Sequence, residues 1–176
     1  MVTTRRQRAS RAPEFVLWAS GFLSLALFAG LAWYLWPLTP GVVALQLTFT
    51  PGAFGSIVHQ WSPQALLRYQ RHLPFDCVLL VAYGVFGYLL ARHRSILRAL
   101  SPAEARWAPW VLPAGAVLDA LENGLHAWLT AWPHVDAAWV GGTLVHAAAG
   151  GFSTAKWACL IAFGLLLSRA FLRVRR

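Results

Sequence analysis

Four stretches of the chain are apolar over enough consecutive residues to cross a membrane as helices. They run over residues 15–36, 73–91, 107–132 and 142–167. The hydrocarbon core of a bilayer is about 30 Å thick and needs about 20 helical residues at 1.5 Å per residue. The pattern therefore predicts one all-α domain over residues 1–176, an integral membrane four-helix antiparallel bundle.

The segment between the first two spans, residues 37–72, is too long to be a simple turn. Thr50-Pro51 and Ser62-Pro63 each combine a good N-cap residue with a proline suited to the first helical position. We expect two short extracytoplasmic helices here, over residues 51–60 and 63–71.

Other connections carry weaker signals. Residues 43–50 alternate apolar and polar side chains, which favours an extended segment. Ser101-Pro102-Ala103-Glu104 has the pattern of a capping box and predicts a helix start just before the third span. Residues 133–139 form a brief outer loop between the third and fourth spans.

Composition supports a membrane protein. The chain is 58% hydrophobic and 12% charged, whereas soluble domains have about 25% charged residues. This composition excludes a disordered chain, a coiled coil and a nucleic-acid-binding arm.

The basic residues indicate the orientation of the spans. The net charge is +9, and 12 of the 15 basic residues lie before the first span, between the second and third, or after the fourth. Basic residues concentrate on the cytoplasmic side of membrane proteins, so both termini are expected in the cytoplasm. These arginines would contact the lipid bilayer and its acidic headgroups rather than nucleic acid.

Three of the six acidic residues fall inside predicted spans, namely Asp76, Asp119 and Glu122. Ionisable groups in a membrane cost several kcal/mol unless they are paired or hydrated, so each is a candidate functional residue. In the third span Asp119, Glu122, Asn123 and His126 follow the spacing i, i+3, i+4, i+7, which places them on one helix face.

The neighbouring spans carry matching polar residues. His146, Ser153 and Lys156 share a face of the fourth span, and Asp76 and Tyr83 share a face of the second. Lys156 is expected near mid-membrane, where it is the one cation able to neutralise Asp119 or Glu122. One lysine cannot neutralise three acids, and this surplus favours a hydrated cavity or a protonated carboxyl group.

These residues suggest a division of roles. Glu122 and Asp119 are the candidate catalytic acid–base or charge-pairing groups, and Lys156 would tune them. The polar head of a ligand would be oriented by the remaining polar side chains of the spans, namely Asn123, Asp76, Tyr83, His126, His146 and Ser153.

Three other interpretations of the cluster remain open. Lys156 could form a purely structural ion pair, with Asn123 and Ser153 as hydrogen-bonding contacts between helices. His126 and His146 could ligate a haem as a b-type cytochrome does. A metal bound by Glu122, His126 and His146 is conceivable, but the E-x-x-H pair of di-iron bundles is absent, so no metal is assigned and the cofactor stays unknown.

The motif order resembles a group of uncharacterised bacterial four-span membrane proteins. The resemblance rests on L-P-x-D at Leu73–Asp76, D-x-x-E-N at Asp119–Asn123 and [ST]-x-x-K-W at Ser153–Trp157. It covers about residues 15–167 and implies a bacterial inner membrane, the four-span topology and the same site residues, without an activity. The layout is also similar to that of the sterol-isomerase-like superfamily, small bundles with buried acids that act on amphipathic ligands, although no motif of that superfamily is present.

The function expected from these observations is to bind, and in an enzyme to transform, a lipid-like small molecule in an outward-opening cavity. The alternative is a non-enzymatic accessory or assembly subunit of a larger membrane complex. A b-type haem protein is the third option. Whether the chain is an enzyme is left open by its sequence.

Overall fold

The computed structural model of the protein describes residues 3–93, 96, 98, 100–131 and 140–174. These residues form helices and contain no strand, so the predicted all-α class is confirmed for them. Six helices have defined bounds within these residues, in chain order α1 Thr3–Leu35, α2 Val42–Gln46, α3 Pro51–Val58, α4 Pro63–Ala91, α5 Pro102–Leu129 and α6 Val140–Val174.

The four long helices lie side by side in a row, in the order α1, α4, α5, α6. Neighbours are antiparallel, because contacts that advance along one helix move back along the next. Gly21 and Tyr34 of α1 lie against Phe86 and Arg68 of α4, respectively. Gly115 and Asp119 of α5 lie against Cys159 and Lys156 of α6. Within the described residues, α1 and α6 stand at opposite ends of the row without extensive contact. The arrangement is therefore an open antiparallel row rather than a closed bundle.

Glycines bring α4 and α5 close together. A Cβ atom added to Gly87 would overlap the side chain of Leu112, and one added to Gly84 would lie 3.3 Å from the Cβ of Ala116. Small residues allow helices in membranes to approach at short distance, where van der Waals packing holds them.

Three helices are long and apolar enough to cross a membrane, over Glu14–Leu35, Pro63–Ala91 and Gly142–Arg173. Many large apolar side chains on these helices are exposed, including Phe22 on α1 and Leu165 on α6. Such surfaces are stable against lipid and unfavourable in water. The chain is accordingly a membrane protein.

Helix α5, which contains the predicted third span, is not among these three helices. Its 28 residues are long enough, but the buried polar stripe from Asp119 to His126 lowers its hydropathy. The structure therefore supports three of the four predicted spans by length and composition.

Two predictions for the segment between the first two spans are wrong. Residues 63–71 are not a separate short helix, because α4 runs without interruption from Pro63 to Ala91 through Pro74. Residues 42–46 form the helix α2 rather than an extended segment. The predicted helix starts are confirmed, since the side chains of Thr50 and Ser62 cap α3 and α4.

Helix α4 extends beyond its apolar stretch because its N-terminal part is amphipathic. Tyr69 and His72 are buried against the rest of the protein, while Arg71 is exposed. Gln70 also donates a hydrogen bond to the backbone carbonyl of Thr130 at 2.9 Å, which ties this part to the end of α5.

Glu104 joins α5 to α6 at the end of the row where both chain termini lie. Ser101 and Glu104 form the predicted capping box at the start of α5. The Glu104 carboxylate also contacts Arg169 at 2.9 Å and Arg173 at 3.3 Å on α6. The hydrogen bond from the backbone N–H of Ser101 lowers the pKa of Glu104 below its ordinary value. The predicted outer loop 133–139 lies outside the described residues.

Candidate functional site

The centre of the site is a buried lysine between two carboxylates. The Nζ atom of Lys156 on α6 lies 2.6 Å from Oδ1 of Asp119 and 2.6 Å from Oε2 of Glu122 on α5. The relative exposure of these residues is 3%, 6% and 0%, respectively. The expected neutralisation by Lys156 is present, and it involves both acids.

The remaining acid, Asp76, is paired differently. It is half-buried on α4 and accepts a hydrogen bond of 2.6 Å from Nδ2 of Asn123. Tyr83, also on α4, donates to Oδ2 of Asp119 at 3.3 Å. These two hydrogen bonds attach α4 to the polar stripe of α5, so the cluster spans three adjacent helices of the row.

An aromatic and imidazole layer lies on the side of the cluster away from the chain termini. Nδ1 of His126 is 2.7 Å from the hydroxyl of Tyr69 and 3.7 Å from Oε1 of Glu122. The ring centroid of Phe54, from α3, lies 5.6 Å from that of His126 and 5.1 Å from that of His146. This layer places His126 next to Glu122 and brings both predicted histidines into contact with Phe54.

The tautomer of His146 follows from its backbone contact. Nδ1 of His146 contacts the carbonyl oxygen of Gly142 at 2.5 Å. A carbonyl oxygen can only accept, so Nδ1 carries the hydrogen and, in the neutral ring, Nε2 is left as an acceptor.

Four buried polar atoms at the site have no hydrogen-bond partner among the described residues. One of them, Oε2 of Glu122, is in ion-pair contact with Lys156. The other three, called the unpartnered atoms below, are Oε1 of Glu122, Nε2 of His146 and Oγ of Ser153. The Ser153 hydroxyl is close enough to the Glu122 carboxylate to interact with it, although the two groups lack the geometry of a full hydrogen bond. Buried polar groups are nearly always paired with protein or water, so this group of atoms marks a place where something polar can bind.

The site is covered by residues 42–58, which we call the cap. Thr48 and Phe49 of the cap pack on Gly150 of α6, where an added Cβ would overlap the Thr48 carbonyl oxygen. Nε1 of Trp157 donates to Oε1 of Gln46 at 3.3 Å. The cap is thus attached to α6 on both sides of Ser153.

We predict that Gly150→Ala loosens the cap. The new methyl group meets a backbone carbonyl that cannot rotate away, and overpacking of this kind typically costs about 1–3 kcal/mol. The neighbouring Gly151→Ala is the matched control, because a Cβ there has nothing within 4 Å. Limited proteolysis should cut the cap faster in Gly150→Ala than in Gly151→Ala, and equal rates would contradict this account of the packing.

The expected outward-opening cavity is not what the structure shows. Glu122, Ser153 and His146 are at most 1% exposed beneath the cap. Two grooves on the protein surface, of about 460 Å³ between α5 and α6 and about 540 Å³ between α1 and α4, are lined almost entirely by apolar residues. Neither groove includes a residue of the cluster, so the described conformation is closed.

Tyr69 and Phe54 belong to the site, although neither was predicted from the sequence. Both are fully buried and contact His126. Tyr69 lies seven residues before Asp76, which lies seven before Tyr83, so the stripe is visible once α4 is taken to begin at Pro63. His72, on the same face, is buried as well. Phe54 has no comparable signal, because a loop helix brings it to the site.

Neither a metal site nor a haem site is indicated by the geometry. The described residues contain no group of three or more His, Cys, Asp or Glu side chains arranged to hold a metal ion. The Phe54 ring packs against both imidazoles that a haem would need. A porphyrin at this place would compete with that ring for space.

The chain matches no protein-family model, and neither a curated protein nor a solved structure is significantly similar to it.

Proposed function

We propose that the chain is a multi-pass protein of the cytoplasmic (inner) membrane, with α5 as a fourth span and both termini in the cytoplasm. Helix α5 packs between α4 and α6 and is antiparallel to both. Helices α4 and α6 are themselves candidate spans. The two acids within its predicted span, Asp119 and Glu122, are buried and contact Lys156 of α6. The basic residues near the chain termini support the orientation.

We further propose that this protein binds the polar head of a lipid-like small molecule at the Asp119–Glu122–Lys156 cluster. The observation that carries the proposal is the group of three unpartnered buried atoms on Glu122, Ser153 and His146. Each unpaired buried polar group costs about 1–3 kcal/mol. A ligand that hydrogen-bonds to all three would recover most of this cost.

A place for the apolar part of the ligand lies on the same two helices. The groove of about 460 Å³ between α5 and α6 is lined by residues such as Val111, Ala158 and Cys159. Cys159 is about one helical turn beyond Lys156. A molecule with its head at the cluster and its chain in this groove would be amphipathic.

The cluster would also support proton transfer to such a ligand. Oε1 of Glu122 has no partner, while Oε2 contacts the Lys156 ammonium. Glu122 is therefore the group placed to accept or return a proton, and Asp119 would keep Lys156 charged. Asn123, Asp76 and Tyr83 would hold α4 in position around it.

Native mass spectrometry of the protein purified in mild detergent tests the proposal. We expect a small amphipathic molecule retained at one copy per chain, with release after the Gly150→Ala change loosens the cap. Wild-type protein that is free of any retained molecule, and that also takes up none from a lipid extract, would reject the proposal. A Soret band in the visible spectrum would instead favour the b-type haem protein.

A non-enzymatic accessory subunit remains the second candidate function. It is favoured by one observation, namely that Lys156 is already paired with two carboxylates and joins α5 to α6 without any ligand. In this case the cluster would serve assembly only. The protein should then co-purify with a larger membrane complex and should tolerate joint neutralisation of the cluster, as tested below.

A further inference from the structure

All three unpartnered atoms can act as hydrogen-bond acceptors. The carboxylate oxygen of Glu122 accepts hydrogen bonds only, and Nε2 of His146 is an acceptor because Nδ1 holds the hydrogen. Ser153 Oγ can accept as well as donate. A ligand that satisfies all three atoms must therefore supply several hydrogen-bond donors.

Ser153 behaves differently from two other hydroxyl residues of its helix, Thr154 and Ser168. The hydroxyls of Thr154 and Ser168 donate to the carbonyl oxygens of Gly150 and Gly164, four residues earlier. This is the usual arrangement for serine and threonine inside a helix. The Ser153 hydroxyl makes no such bond and is fully buried, so it is available to a ligand.

The charge of the cluster points in the same direction. Asp119 and Glu122 contact Lys156, and Asp76 lies close by on Asn123, so the described part of the cluster holds three carboxyl groups and one lysine. The cluster has a net charge of about −2 with all three carboxyl groups ionised and about −1 with one of them protonated. An anionic head would add to this charge in a medium of low dielectric constant, whereas a cationic head would reduce it.

We propose that the head of the ligand is a primary ammonium group. An ammonium carries three N–H donors, a positive charge and no acceptor, which matches the neighbouring acceptors on Glu122 and Ser153 and the excess of carboxylate. This inference rests on the proposed function and specifies its substrate class, a long-chain primary amine. It excludes lipids recognised through a phosphate or a carboxylate.

Probes with the same chain and different heads test this class directly. Dodecylammonium, dodecanol, dodecanoate and dodecyl phosphate are titrated into the full-length protein in a non-ionic detergent, and binding is followed by native mass spectrometry. We expect dodecylammonium to bind at least about tenfold more tightly than dodecanol, and the two anions to show no saturable binding. The protein has a net charge of +9, so unspecific attraction would favour the anions instead.

A pair of serine variants on α6 locates the binding. Ser153→Ala should weaken dodecylammonium binding about tenfold or more, because a hydrogen bond to a charged group is lost. Ser168→Ala removes an exposed hydroxyl from the same helix and should leave binding unchanged. Circular dichroism would show that both variants keep their helix content.

The outcomes separate this inference from the proposed function. Equal or tighter binding of dodecanol, saturable binding of either anion, or equal affinities of the two serine variants overturns the ammonium head. The lipid-binding function survives in those cases if a probe or a retained lipid still binds in one copy. If no probe binds and no molecule is retained, the proposed function fails as well.

Discussion

Replacing Lys156 with methionine is expected to prevent stable folding of the protein. The substitution leaves Asp119 and Glu122 buried side by side without the ammonium that lies 2.6 Å from each. Removal of one partner from a buried ion pair typically costs about 3–5 kcal/mol, which is a large part of the stability of a small protein. Thermal unfolding in one detergent, followed by size-exclusion chromatography, should show aggregation or a strongly lowered midpoint.

The matched control is Arg169→Met on the same helix. Arg169 also contacts a carboxylate, Glu104 at 2.9 Å, but its side chain is 58% exposed. Exposed ion pairs contribute about 0–1 kcal/mol, so this change should barely move the unfolding midpoint. Similar midpoints for the two variants would show that the Lys156 contacts do not hold α5 and α6 together.

A triple variant separates structure from binding. Lys156→Met combined with Asp119→Asn and Glu122→Gln removes every charge of the central group at once. The variant leaves no buried charge without a partner, and the two amides that it introduces on α5 can hydrogen-bond to each other, so we expect folding to recover relative to Lys156→Met alone. Loss of ligand retention in this folded variant supports the proposed function. Full retention would show that the ligand binds away from the cluster, and continued co-purification with a larger membrane complex would support the accessory subunit.

Replacing Glu122 with glutamine is expected to remove ligand binding while the fold is kept. Glutamine has the same shape, and Lys156 retains its contact with Asp119, so no charge is left buried alone. The ligand loses a charged acceptor at Oε1, and hydrogen bonds to charged groups contribute about 1.5–3 kcal/mol. We predict a 10- to 100-fold loss of affinity, or of activity if the protein is an enzyme.

The corresponding control is Glu104→Gln. This residue is at the other end of α5 and contacts Arg169 and Arg173 instead of the cluster. It should alter stability slightly and leave ligand retention intact. A Glu122→Gln variant with wild-type retention would remove Glu122 from the site and leave its buried carboxylate as a structural group.

Much of the architecture is encoded locally and can be predicted from the sequence. The apolar stretches and the capping residues Thr50, Ser62 and Ser101 act within a few residues of chain, so the starts of α3, α4 and α5 are predicted correctly. The true length of α4 could not be found in this way, because Tyr69 and His72 are buried by contacts with distant parts of the chain. A hydrophobicity pattern does not distinguish an amphipathic helical segment of this kind from a loop.

The site shows the same division. Spacing places Asp119, Glu122, Asn123 and His126 on one face of α5, and Lys156 with Ser153 on one face of α6, because helix geometry determines which residues share a face. Which acid Lys156 contacts depends on the rotation and depth of one helix relative to the other. Only the packing of the helices shows that Lys156 contacts two acids, and that Asn123 donates a hydrogen bond to the third, Asp76.

The chain alone therefore determines that this is a helical membrane protein with ionisable groups among its apolar helices, since composition and periodicity are properties of the chain itself. The tertiary structure decides that these groups are closed off by residues 42–58 and that Phe54 contacts both histidines. It also decides which buried atoms stay without partners, because hydrogen bonding at 3 Å depends on the relative placement of helices that no local pattern specifies.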